Sequence, residues 1–194
     1  MAVARAFLSV VPILLASPAL AHTGEAAGGG FVTGFVHPIM GWDHVAAMVA
    51  VGLWGAFLGK PAIWLLPVTF PLVMAVGGAL GVAGVPVPMV ETGIAASALV
   101  IGAAVLLALR PPMAVSAVIV GFFAIFHGYA HGTEMPAAAN PMAYAIGFVT
   151  GTGLLHLAGI GFGLAVGSRT GRIAVRAAGG VIALAGAGVL TGAI

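Results

Sequence analysis

The sequence predicts an all-α, polytopic membrane protein of about six transmembrane helices, preceded by a cleaved signal peptide. Three observations carry this. The 194-residue chain is 62% hydrophobic and only 5% charged, against about 25% charged residues in a soluble domain, so it could not cover a water-facing surface. Apolar runs of roughly 20 residues, the length a bilayer requires, follow one another along almost the whole chain. The few charges sort by side, as a membrane-spanning chain needs.

The elements follow in order. Arg5 supplies a positive start, Ala6 to Ala16 an apolar core, and Ser17-Pro18-Ala19-Leu20-Ala21 a small-residue end. That is a secretory signal peptide cut after Ala21, which leaves 22–194 as one transmembrane domain. His22 then becomes the mature N-terminus, where a free α-amine beside an imidazole makes a capture site for a divalent metal. The apolar runs place helices at Gly34–Leu58, Ala62–Val82, Thr92–Leu109, Met113–His131, Met142–Val166 and Ile173–Ala193. Prolines mark most of the joints: Pro61, Pro86 with Pro88, Pro111 with Pro112, Pro136 and Pro141.

With the mature N-terminus outside, the inner loops hold Lys60, Arg110, Arg169 and Arg172. Arg176 lies one turn into the last helix, where it snorkels back to the interface. Glu25, Glu91 and Glu134 fall outside. Six spans with both termini periplasmic satisfy the positive-inside rule, and five or seven break it. The expected location is the bacterial inner membrane, with the lipid bilayer as first partner.

Glycines four apart (Gly77 with Gly81, Gly147 with Gly151, Gly159 with Gly163 and Gly167, Gly188 with Gly192) suit close helix packing in lipid. Gly159-Ile-Gly161-Phe-Gly163 follows no strand and is no dinucleotide fingerprint. Gly59-Lys60 lacks the rest of a phosphate-binding loop. There is no cysteine, which excludes disulfides, thiolate catalysis and iron–sulfur clusters. The slight basic excess reports topology and not a nucleic-acid partner.

What remains is a set of ionisable groups at membrane depth, each costing at least ~2.5–3.5 kcal/mol when charged. His37 and His44 stand seven apart on one face of the first helix, with Met40 and Met48 on the same stripe. Asp43 is rotated about 100° from His44 and either joins a site or orients a histidine. A regular helix would hold His37 and His44 ~10 Å apart along its axis. Pro38 and Gly41 offer a break that shortens this distance. On the fourth helix His127 and His131 are one turn apart, the spacing two imidazoles need to grip one ion, and Glu134 continues that stripe. His156 lies roughly 20 Å into the fifth helix. Ordered by depth, His22, Glu25 and Glu134 come first, then His131 and His37, then His127, Asp43 and His44, with His156 innermost. The order describes a route.

Imidazole with some carboxylate suits Ni²⁺, Co²⁺, Zn²⁺ or Cu²⁺ and argues against the oxygen-seeking Ca²⁺ and Mg²⁺. A transported ion, with no permanently bound cofactor, fits ligands spread over depth. An intramembrane zinc hydrolase with Glu134 or Asp43 as base is the rival reading, and a haem protein with two axial histidines is a third.

These segments carry a family resemblance. HPIMGWDHVAAMVAVGLW and FHGYAHGTE are similar to the two signature segments of the HupE/UreJ family, of the form HPxxGxDHxxxMxxVGxW and FHGxAHGxE. GFVTGTGLLHLAGIGFG resembles the family's fifth-helix pattern, with Gly151 where Ala is commoner. The resemblance implies a nickel, or cobalt, permease supplying hydrogenase or urease maturation and not an enzyme. It implies His37, Asp43, His44, His127, His131 and Glu134 as metal-path residues. A homo-oligomer or a cytoplasmic nickel chaperone are the protein partners to look for.

Overall fold

The computed structural model describes residues 30–135 and 140–193. The expected signal peptide and cleavage site, His22 and Glu25 lie outside the described residues. Those described form helices and turns and no strand. The helices are α1 (Gly30–Met40), α2 (Trp42–Leu58), α3 (Ala62–Val82), α4 (Val90–Leu106), α5 (Met113–Thr133), α6 (Pro141–Gly163) and α7 (Arg169–Thr191), with a short 3₁₀ turn at Leu164–Gly167 before the last.

Local chemistry explains the bounds. Asn140 caps α6, its side-chain oxygen accepting from the Met142 and Ala143 amides at 3.1 and 3.0 Å, while Pro141 occupies the first turn, where no amide donor is needed. Ser168 caps α7 by accepting from the Gly171 amide at 2.9 Å. Gly59, at φ 81°, turns the chain out of α2. At the end of α4, Arg176 from α7 donates to the Leu106 carbonyl at 2.7 Å. The snorkelling expected of Arg176 therefore ends on an orphan helix carbonyl.

Helices α3, α5, α6 and α7 are each long and apolar enough to cross a membrane; 21 residues span about 32 Å. Helix α4 is apolar but shorter, at 17 residues. The expectation of one helix over Gly34–Leu58 is corrected. The segment starts earlier, at Gly30, and breaks at Gly41 into α1 and α2, bent by 82° from one another. Pro38 sits inside α1, so the break falls at the glycine and not at the proline. The bend also removes Met40 from the histidine stripe: Met40 is exposed, whereas Met48 is fully buried.

Helix α2 is the hub. It buries His44, Ala47, Met48, Ala50, Val51, Leu53 and Trp54 and touches α3, α4 and α6. Around it, helices pair through glycines that sit on a neighbour's backbone. Gly77 and Gly81 lie against the Ile125 and Tyr129 carbonyls, so α3 and α5 run parallel. Gly34 meets Tyr144 and Gly151 meets Phe35 and Pro38, so α1 and α6 also run parallel. Gly102 meets Gly179 and Ala183 while Gly186 meets Ala95, so α4 and α7 are antiparallel. Of the expected packing glycines, Gly167 and Gly192 touch nothing and serve as helix ends.

The outer faces are apolar. Helix α3 exposes Trp64, Val68, Leu72 and Val76 at every fourth position, while Leu66, Phe70 and Met74 face the core. Such a stripe is costly against water and suits lipid.

Candidate metal centre

Three helices bring the site together. The 82° bend swings α1 so that His37 packs on α5, with its ring centroid 4.8 Å from that of His131. From the other side of the bend, His44 sits 4.4 Å from His131 and 4.9 Å from His127. His44 thus packs against both rings of the expected His127/His131 pair. The two first-segment histidines, one on each side of the bend, reach a common neighbour.

At the exposed end Glu134 Oε2 lies 3.1 Å from His37 Nε2. One ligand atom each from His37, His131 and Glu134 fall within 4.8 Å of one another. That spacing lets a small adjustment place all three on one ion. Glu134 is exposed, His37 partly exposed and His131 buried, so the trio grades from the surface inward. Tyr144 and Phe148 of α6 wall it, 5.9 Å from His37 and 4.3 Å from His131 respectively.

Deeper in, Asp43 lies against His44. Its Oδ1 accepts from the His44 amide and from His44 Nδ1, both at 2.9 Å. An ionised carboxylate can only accept, so Nδ1 carries the proton and Nε2 presents its lone pair. This is the arrangement that orients metal-binding imidazoles in known sites. Asp43 also stands in the first turn of α2, where the helix dipole favours negative charge. Gly41 packs closely on the same pair: a Cβ there would lie 3.0 Å from both Asp43 Oδ1 and His44 Nδ1.

His127 is fully buried, and its Nε2 lies 2.8 Å from Ser97 Oγ on α4. Phe70 of α3 then lies 5.4 Å from His127 and 5.4 Å from His156. It carries the chain of ring contacts from one to the other. His156 and Thr152, one turn apart on α6, are both buried.

The unpartnered atoms are the telling ones. His44 Nε2, His127 Nδ1, both nitrogens of His131, both of His156, Thr152 Oγ1 and the Tyr144 hydroxyl are buried without a hydrogen-bond partner among the described residues. Each such group costs about 1–3 kcal/mol in a protein interior. Packing alone gives no return for so many, whereas imidazole lone pairs are ligands for a borderline transition metal.

Ser97, Phe70, Tyr144, Phe148 and Thr152 were not visible as site residues in the sequence. A serine or phenylalanine inside an apolar run has no local signal, and only the prolines on either side of Phe70, Pro67 and Pro71, set that turn apart.

Comparison with known proteins finds relatives over most of the chain. The model of the family described as HupE / UreJ protein matches residues 10–189. The protein described as Protein HupE from Rhizobium leguminosarum bv. viciae is 43% identical over 184 residues, covering 95% of this chain and 96% of that protein. No solved structure matches.

Proposed function

The chain belongs to the HupE/UreJ family, and from that premise we propose that it is an inner-membrane permease moving Ni²⁺, or Co²⁺, from periplasm to cytoplasm for hydrogenase or urease maturation. The observation that carries the reading is the line of imidazoles from exposed Glu134 and His37 through His131, His44 and His127, and past Phe70 to His156. A hydrated ion meets the carboxylate first, then exchanges water for neutral nitrogen ligands in steps of about one ring. Conduction needs binding strong enough to replace hydration and weak enough to release. Imidazoles with one charged orienting carboxylate meet both demands.

The topology supports six crossings. A chain whose spans alternate in direction has its second and fourth crossings parallel, its first and fifth parallel, and its third and sixth antiparallel. The glycine contacts of α3 with α5, of α1 with α6 and of α4 with α7 have those directions. The bent α1–α2 pair serves as the first span and α4 as a short third. His22, at the mature N-terminus, collects the ion outside. An inside-negative potential contributes about 2.3 kcal/mol per charge per 100 mV, which a divalent ion receives twice over.

The zinc hydrolase has less support. Its general base would be Glu134 or Asp43, but the first lies on His37 and the second is engaged by His44.

The test is uptake of radiolabelled Ni²⁺ into proteoliposomes with an imposed inside-negative potential. Purified protein is expected to fill vesicles faster than empty liposomes do, and the rate should fall when the potential is collapsed. Uptake equal to that of empty vesicles would sink the proposal.

A further inference from the structure

Helix α4 contributes no metal-ligating side chain to the line of histidines, yet one of its residues decides how a histidine in that line is presented. Ser97 is fully buried. Its Oγ lies 2.6 Å from the Ile94 carbonyl and 2.8 Å from His127 Nε2. A serine hydroxyl has one proton. At 2.6 Å that proton goes to Ile94 O, the usual partner of a serine inside a helix. The hydroxyl oxygen is left to accept, so His127 Nε2 must carry a hydrogen and donate it. His127 is then held as the Nε2–H tautomer, and its Nδ1, buried and unpartnered, keeps its lone pair.

We infer that Ser97 is a positioning residue that fixes the tautomer of His127 so that Nδ1 faces the transported ion. Asp43 does the converse for the neighbouring ring. It takes the proton of His44 Nδ1 and frees Nε2. The two imidazoles, 4.9 Å apart, are thus locked in opposite tautomers by partners on different helices. The carboxylate that holds His44 is charged, and the hydroxyl that holds His127 is neutral.

The role of Ser97 in metal binding rests on the transport reading, but its effect on the tautomer does not, which allows the two to fail separately. The experiment uses full-length protein in nanodiscs with ¹⁵N-labelled histidine, comparing wild type, Ser97→Ala and Ser97→Thr. His127 is identified by the signal lost in His127→Gln. Wild type and Ser97→Thr, which keeps the hydroxyl, should show a protonated Nε2 and a bare Nδ1 at His127, and Ser97→Ala a mixture of tautomers. Competition with a chromophoric chelator should then show Ni²⁺ binding weakened by about 10–100-fold in Ser97→Ala and near wild type in Ser97→Thr. An unchanged tautomer in Ser97→Ala overturns the inference, and so does a changed tautomer with unchanged affinity. Wild-type protein that binds no Ni²⁺ while Ser97→Ala still mixes the tautomers contradicts the transport reading and upholds the orientation of His127.

Discussion

Replacing His131 with leucine is expected to abolish Ni²⁺ uptake and to raise the thermal stability of the metal-free protein. His131 is the ring on which both halves of the bent first span converge, 4.8 Å from His37 and 4.4 Å from His44. It also supplies one of the three ligand atoms that lie within 4.8 Å of each other. Without it the ion must pass from Glu134 and His37 to His44 with no ring between them. Stability moves the other way. Both His131 nitrogens are buried and unpartnered, each at about 1–3 kcal/mol, and leucine fills a similar volume with no polar atom. A gain of 1 kcal/mol raises Tm by about 2–4 °C in a chain of this size. Thermal melts with and without Ni²⁺ separate the two effects, because the variant should also lose metal-dependent stabilisation. A variant less stable than wild type that still transports would show His131 to be a packing residue.

Asp43→Ala is expected to reduce Ni²⁺ affinity by about 100-fold, the upper end for loss of a group that orients a metal ligand. Asp43→Asn should lose about tenfold, because an amide oxygen still accepts from His44 Nδ1 but carries no charge. The ordering is the informative part. A carboxylate that bound the ion directly would lose most of its effect on either change, whereas an orienting acceptor is partly replaced by asparagine. Equilibrium binding of the two variants measured against wild type distinguishes these. Equal losses in both would place Asp43 on the metal and not behind His44.

The sequence made much of the scaffold legible, because lipid leaves few choices. Ala62–Val82 is bounded as expected, since a proline precedes it and its run of apolar residues matches the bilayer. The other helices end within a few residues of the expected positions. The first segment was misread as one helix for a physical reason. Hydropathy registers the apolar character of Gly34–Leu58 but not the direction of its axis, and Gly41 adds nothing to a hydropathy sum while permitting an 82° bend. Of the two residues expected to offer a break, Pro38 and Gly41, the chain bends at Gly41, and α1 runs through Pro38.

The site was legible by residue type and not by contact. Six histidines in an apolar chain are conspicuous because charge and polarity are costly there. Which of them meet was hidden, since the meeting of His37 and Glu134 spans 97 residues of sequence and depends on how α1 lies on α6. Ser97 was hidden for the same reason. Its partner His127 is 30 residues away on another helix, and nothing within α4 announces it. The small residues announced close packing, and the backbones they bring together, such as Gly52 against the His156 carbonyl, set the register on which those contacts depend.

The most direct measurement is nickel K-edge X-ray absorption on the purified, Ni²⁺-loaded protein. A line of imidazoles that holds the ion predicts nitrogen and oxygen in the first shell, with the outer-shell scattering characteristic of several imidazole rings, and a loss of part of that scattering in His131→Leu. A shell of oxygens alone, with no imidazole signature and no change in the variant, would contradict it.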